Sequence, residues 1–191
     1  TRAGDDASCL NLAAPRQPRL LGVDARRLAE RGAFSFAEAS SEADSPWLRL
    51  QEPLGGDVVP AIGDAASLQW QMHKAVGDEL EYVDEAGQPF RVRIVAALVD
   101  SVLQGSLVID EQHFRERFPS ESGYRRLFVD VEGREVQAVS DLLGRRLSDL
   151  GLELEPTGRR LNELAAVQNT YIEIFQVLGS LGLLLGTLGL G

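Results

Sequence analysis

The sequence predicts an α+β fold from three patterns. Short aliphatic segments with strand character are interspersed with short helical segments along the chain. Residues 79–83 and 90–95 alternate polar and apolar side chains on either side of the turn 84–87, which predicts an antiparallel hairpin. Residues 127–155 have the pattern of a strand, a helix and a strand, which predicts a single βαβ unit.

The residues that precede the hairpin predict two helices, a loop and three short strands. Asp24 is placed to cap a helix over 25–31 that ends at Gly32. The Ala/Ser/Glu-rich stretch 37–46 predicts a solvated loop, and residues 65–74 predict a helix. The strand candidates share short apolar runs: 8–12, 19–23 and 58–62.

After the hairpin, its second arm is expected to continue to Val99. Residues 107–109 predict another strand, and Asp110 is placed to cap a helix over 111–118. In the βαβ unit, strands over 127–131 and 152–155 flank a helix over 135–150 that ends at Gly151. Its expected buried positions share one helical face: Val136, Val139, Leu143 and Leu147.

Composition and charge exclude several classes of protein. The net charge of −10 over 191 residues argues against nucleic-acid binding, because phosphates would be repelled. Cys9 is the only cysteine, so no intramolecular disulfide is available, and one thiol with two histidines is a poor set of zinc ligands. No signal peptide opens the chain and it lacks an initiator Met, so Thr1 is expected to be an internal start.

The last segment, Ile174 to Gly191, carries no charged residue. We interpret it as part of a transmembrane helix, because a span needs about 20 apolar residues and the glycines here would weaken a water-exposed helix. Gly182 and Gly186 fit a small-residue packing face. An amphipathic helix over 161–175 leads into this run. The alternative is a buried core helix or a fraying tail.

Two stretches resemble a known family. Val76-Gly77-Asp78-Glu79-Leu80, followed by the hairpin and residues 93–98, resembles the extracytoplasmic core of MacB-type, FtsX-like permeases of ABC transporters. Ala96 stands where that family commonly has glycine. Residues 168–191 resemble the entry of the family's transmembrane helix, and residues 5–12 resemble a subgroup of large permeases.

The resemblance implies a two-lobed extracytoplasmic domain over 1–160, on the periplasmic side of the inner membrane. A βαβ-rich, porter-like lobe would comprise 1–57 and 120–160, with a small β-rich lobe, 58–119, inserted into it. A coupling helix over 161–175 would join it to a transmembrane helix that starts over 176–191. The family works as dimeric permeases driven by a separate cytoplasmic ATPase, and its extracytoplasmic domains transmit motion to a substrate or a periplasmic partner protein.

The candidate site residues are therefore expected to transmit motion or to contact a partner. We expect no catalytic residue, cofactor or metal. No hydrolase elbow or phosphate-cradling motif accompanies the serines and glycines. Val102 and Leu103, in the polar loop 100–106, form a candidate partner-contact tip. Trp47 and Trp70 are each expected in a core, with a partner surface as the alternative. The residues expected to couple and pack the C-terminal helix are Asn169, Tyr171, Phe175, Gly182 and Gly186.

Two other classes of function stay open. A ligand-binding or sensor ectodomain of another bacterial membrane protein explains the apolar C-terminal run equally well, but it does not explain the resemblance at Gly77-Asp78. A soluble enzyme whose glycine-rich end is buried or disordered lacks a recognisable chemical constellation in the sequence.

Overall fold

A computed structural model describes residues 1–5, 15–39, 45–121, 123–164, 166 and 176–180. The chain divides into two compact units, Thr1–Leu127 and Phe128–Gly191. The first unit contains all of the strands in the described part of the chain, and the second is helical with extended connections. This mixture confirms the α+β class at a coarse level.

The first unit is built on one mixed six-stranded sheet. Its central path runs β1-β6-β3-β5-β2, and β4 pairs with β5 beside that path. Pairs β1–β6 and β3–β5 are parallel, whereas β6–β3, β5–β2 and β5–β4 are antiparallel. The strands are β1 Arg19–Val23, β2 Ser35–Ala39, β3 Val58–Asp64, β4 Glu79–Val83, β5 Pro89–Val99 and β6 Ser106–Asp110.

Strand β5 organises the sheet because its eleven residues reach three neighbours. Its first half forms the expected hairpin with β4, and its second half pairs with β2 through Ala96–Val99. The predicted hairpin and the continuation to Val99 are confirmed. The loop expected over 37–46 is wrong at its beginning, because residues 37–39 belong to β2, which pairs with β5.

Apolar side chains cover both faces of the sheet, as the alternation along β6 shows. Leu107 and Ile109 belong to one buried cluster, and Val108 between them belongs to another. The first cluster includes Phe114 and Phe118, and the second includes Trp47. Burial on both faces explains the continuous apolar run over 94–99, in the second half of β5.

Two short helices follow the parallel strands β1 and β6 directly. Helix α1 (Ala25–Glu30) is capped by Asp24, whose Oδ1 accepts from the Arg27 N–H at 3.1 Å. Helix α2 (Glu111–Arg117) is capped by Asp110, whose Oδ1 accepts from the Gln112 N–H at 2.9 Å. Both predicted caps are confirmed.

The second unit confirms the predicted helix and corrects its flanking strands. Helix α3 (Val136–Leu147) ends through a short 3₁₀ turn, and Gly151 has the expected positive φ of 69°. Residues 127–131 and 152–155, expected as strands, have no strand assignment. None of the expected buried positions of the helix is fully buried. A strand needs a partner for its backbone, and none of the described strands pairs with these segments.

The sheet of the first unit includes strands from both sides of residue 57. Strands β1 and β2, from the predicted porter-like lobe, belong to the same sheet as β3 to β6 from the predicted β-rich lobe. Sequence patterns identify strands locally, but they do not state which distant strands pair.

The C-terminal region is described only in part. Residues 157–164 are helical, as are 176–180. Among the residues that the structure describes, no helix combines the length and the apolarity needed to span a bilayer. Most of the predicted coupling helix, 161–175, and of the charge-free run that follows it lies outside the described residues.

Candidate interaction surface

A buried carboxylate fixes the segment that follows β3. Asp64, the last residue of β3, is only 2% exposed. Its Oδ1 accepts from the Ser67 N–H at 3.2 Å and from the Ser67 hydroxyl at 3.3 Å. The backbone N–H groups of Ala66 and Ser101 also hydrogen-bond to this carboxylate. Asp64 therefore ties the end of a strand to the start of the next segment and to the loop after β5.

Ser67 extends this network to the loop 100–105. Its Oγ accepts from the Gly105 N–H at 2.8 Å while its hydroxyl donates to Asp64. Within the loop, the Ser101 Oγ accepts from the Leu103 N–H at 2.9 Å. We call Asp64, Ser67, Ser101 and Gly105 the Asp64 network. It holds two chain segments of distant sequence in one arrangement.

Burial raises the pKa of the Asp64 carboxyl, and the hydrogen bonds from Ser67, Ser101 and Ala66 oppose that rise. The carboxylate is placed as a structural acceptor, since each of its identified partners is a donor of the surrounding backbone or of Ser67. The position of Asp64 in the sequence already indicates such a role. Asp64 stands between a strand and a helical segment, as do the helix caps Asp24 and Asp110.

Residues 65–72 confirm the expected helical segment but with a wider turn than an α-helix. Residues 65–66 begin it, and Ser67–Met72 form a π-helical turn. Leu68 and Met72 are buried in the first cluster, as their spacing indicates. His73 ends the turn in the left-handed conformation with φ 52°, and the Lys74 N–H donates to the Leu68 carbonyl at 2.8 Å. π-Helical turns are rare and often accompany functional sites.

The two tryptophans occupy opposite environments. Trp47 is 1% exposed, packs edge-on against Phe34 and Phe36 at ring-centroid distances of 5.7 and 5.5 Å, and donates from Nε1 to the Ala33 carbonyl at 2.8 Å. Its core role is confirmed. Trp70 lies on the π-helical turn and is 67% exposed. For Trp70 the expectation of a core residue is wrong, because it lies midway between the buried Leu68 and Met72.

Val102 and Leu103, predicted as a contact tip in the loop 100–106, are not exposed. Leu103 is 3% exposed and belongs to the second buried cluster, and Val102 packs partly buried against the same cluster. The polar residues of this loop suggest that it is exposed. Ser101, however, is buried and uses its side chain to accept a hydrogen bond from the loop's own backbone. The loop nevertheless meets the start of the π-helical turn, through Gly105 and Ser67.

The other predicted site residues lie outside the described residues: Asn169, Tyr171, Phe175, Gly182 and Gly186. Within the described ranges, no group of three or more His, Cys, Asp and Glu side chains is arranged to hold a metal ion. Two open depressions of about 310 and 380 Å³ lie on the surface of the first unit. Asp84, Glu85, Ala86, Glu116, Arg117 and Pro119 line the first, and Arg26, Ala29, Glu30, Ser45 and Leu48 line the second.

The two parts of the Val76–Leu98 resemblance adjoin each other across the fold. The Gly77 N–H donates to the Ile94 carbonyl at 2.8 Å, and the Ile94 N–H donates to the Asp78 carbonyl at 2.9 Å. Gly77 has φ 101°, which favours glycine at this position. The Asp78 carboxylate accepts from the Ala75 N–H at 2.9 Å and so closes the turn. The Val-Gly-Asp step is thus a turn that begins β4 and meets the middle of β5.

Comparison with protein-family models, with curated proteins and with solved structures finds no match to this chain.

Proposed function

We propose that this chain is the extracytoplasmic domain of an FtsX-like, MacB-type permease subunit of an ABC transporter in the bacterial inner membrane. The domain is non-catalytic. Its role is to transmit conformational change, driven by a cytoplasmic ATPase, to a substrate or to a partner protein on the periplasmic side. It requires no cofactor of its own.

The observation that carries the proposal is the pairing of Gly77 and Asp78 with Ile94. The resemblance depends on two stretches, 76–80 and 93–98, that are separated in sequence by the outer part of the hairpin. Backbone hydrogen bonds join the two stretches in one turn-and-strand pair. A family that needs this pair would retain both sequence patterns. The charge-free run 174–191, which follows the helical residues 157–164, supports attachment to a membrane.

The architecture of the first unit suits transmission of motion. A sheet whose two faces are both covered by buried clusters resists bending, since packed interiors deform little. Strand β5 joins three neighbouring strands in that sheet. A displacement applied at one strand is therefore transmitted to the whole unit. The partners in this proposal are the ATPase, a second permease copy, the membrane through the C-terminal helix, and a periplasmic protein.

Thiol labelling in intact cells tests the location. The full-length protein carries Cys9→Ser and a single new cysteine at Ala86, an exposed residue of the hairpin turn. A membrane-impermeant maleimide is expected to label this cysteine without lysis, and the protein is expected in the membrane fraction. Cysteine at the buried Ala96 is the matched control and is expected to stay unlabelled until the protein is denatured. Recovery in the soluble fraction, or labelling of Ala86→Cys only after lysis, would overturn the proposal.

A ligand-binding or sensor ectodomain is the second candidate function, and the exposed Trp70 favours it as a recognition residue. It predicts the same labelling result. It differs in predicting that no ATP-hydrolysing subunit accompanies the protein when it is purified from membranes.

A further inference from the structure

We infer that the surface around Trp70 is a docking site for a separate protein that offers an apolar pocket rimmed by carboxylates. This inference depends on the proposed function in one respect, since the partner is sought in the compartment that the domain faces. We call residues 65–77 the Trp70 segment.

The first argument is the rigidity with which the indole is presented. Leu68 and Met72, on either side of Trp70, are buried in the core. The Asp64 network holds the start of the segment, and the hydrogen bond from the Gly77 N–H to the Ile94 carbonyl holds its end. Because the backbone is already fixed, binding has to order only the Trp70 side chain, which has two rotatable torsions. Tryptophan is also among the residues that contribute most to protein interfaces.

The second argument is the polarity of the segment. Its thirteen residues contain no carboxylate, although the chain has 29 acidic residues and a net charge of −10, and the carboxylate of Asp78, which follows the segment, accepts from the Ala75 N–H. The segment carries Lys74, the only lysine of the chain, and the exposed His73. The indole N–H of Trp70 and the Lys74 ammonium are hydrogen-bond donors without acceptor capacity. A complementary surface therefore offers acceptors, and carboxylates also match the positive charge.

A protein fits these features better than a lipid bilayer does. Adsorption to a membrane requires a broad apolar face together with clustered cations. In the Trp70 segment one large apolar side chain is exposed, and the other exposed residues are Gln69, His73, Ala75 and Gly77. The strongly negative chain is also repelled by anionic lipid. One indole in one pocket is the usual arrangement of a protein–protein anchor.

Photocrosslinking in living cells tests the inference. The full-length protein carries p-benzoylphenylalanine at Gln69, which is exposed beside Trp70, and the matched control carries it at Ala86. Irradiation is expected to yield a discrete protein adduct from position 69 and not from position 86. Mass spectrometry is expected to place the crosslink in a protein other than this chain, next to Asp or Glu residues. The identified protein is then purified for titration.

Substitutions test the stated chemistry of that complex. Trp70→Ser is expected to raise the Kd by about thirtyfold or more, as for an anchor residue. Lys74→Glu is expected to weaken binding, and Lys74→Arg to preserve it. Emission from Trp47, then the only tryptophan, reports that the Trp70→Ser protein stays folded.

Four results would overturn the inference: no protein adduct from position 69, an adduct with lipid only, an adduct with a second copy of this chain, or undiminished binding by Trp70→Ser or Lys74→Glu. The thiol labelling at Ala86→Cys does not involve Trp70. Failure of the docking site is therefore distinguishable from failure of the proposed function.

Discussion

Replacing Asp64 with alanine should destabilise the first unit more than any substitution of an exposed carboxylate. The carboxylate accepts hydrogen bonds from the Ser67 N–H, the Ser67 hydroxyl and the N–H groups of Ala66 and Ser101. A buried donor left without an acceptor costs about 1–3 kcal/mol. Removing the buried charge offsets part of that loss, because burial itself disfavours it. We expect a net loss of about 3 kcal/mol in the free energy of unfolding.

Urea unfolding followed by the emission of Trp47 measures this loss. The comparison requires Trp70→Phe in every protein, so that the core tryptophan alone reports. Glu81→Ala, an exposed carboxylate in β4, is the matched control and is expected to change stability by less than about 0.5 kcal/mol. An Asp64→Ala protein that unfolds at the same urea concentration as the control would refute the reasoning from buried donors.

The pH dependence provides a separate test of the same network. Because the pKa of folded Asp64 is raised, the folded state binds a proton more readily than the unfolded chain does. The stability contributed by this shift is present below the pKa of the unfolded chain, and it is lost as the pH rises through the folded pKa. The stability advantage of the wild-type protein over Asp64→Asn should therefore be larger at acidic than at neutral pH. An advantage that shrinks on acidification would contradict the assignment.

Three further predictions concern packing. Leu103→Ala should lower the free energy of unfolding by about 2–5 kcal/mol in a urea titration, since the side chain is buried, and a loss below about 0.5 kcal/mol would argue for an exposed loop tip. Gly63→Ala should cost about 1–3 kcal/mol by the same measurement, because its Cβ would lie 2.8 Å from the Leu68 Cδ2; an unchanged midpoint would contradict the close packing. In acrylamide quenching, Trp47→Phe should leave a strongly quenched emission from Trp70, whereas Trp70→Phe should leave a shielded one, and equal quenching of both would contradict the two environments.

Local signals in the sequence predict those parts of the fold that depend on local chemistry. The caps Asp24 and Asp110 are found where a carboxylate precedes a helical pattern. The hairpin of β4 and β5 follows from its alternation and turn. These features need no knowledge of distant contacts.

Features that depend on distant pairing were not predictable in the same way. Strand β2 exists because residues 35–39 meet the end of β5, although their composition suggested a loop. Residues 127–131 have a strand pattern but pair with no described strand, so they do not form one. Strand formation requires a partner that the segment itself does not specify.

In the candidate surface, too, the sequence predicts what depends on neighbouring residues and not what depends on distant contacts. The spacing of Leu68 and Met72 puts both on one side of the segment, which directs Trp70, midway between them, away from the core. The Asp64 network was missed, because its acceptor and its donors come from residues 64–67 and from a loop more than thirty residues later. Only the position of Asp64 before a helical segment hinted at its role.

Purification of the full-length protein from detergent-solubilised membranes tests the central claim most directly. The proposal predicts that an ATP-hydrolysing subunit co-purifies with the protein and that the complex contains two permease copies. ATP hydrolysis should be lost when the nucleotide-binding lysine of that subunit is replaced. Recovery of the protein from membranes without an ATP-hydrolysing partner would contradict the permease assignment and favour a sensor ectodomain. Recovery only from the soluble fraction would contradict both.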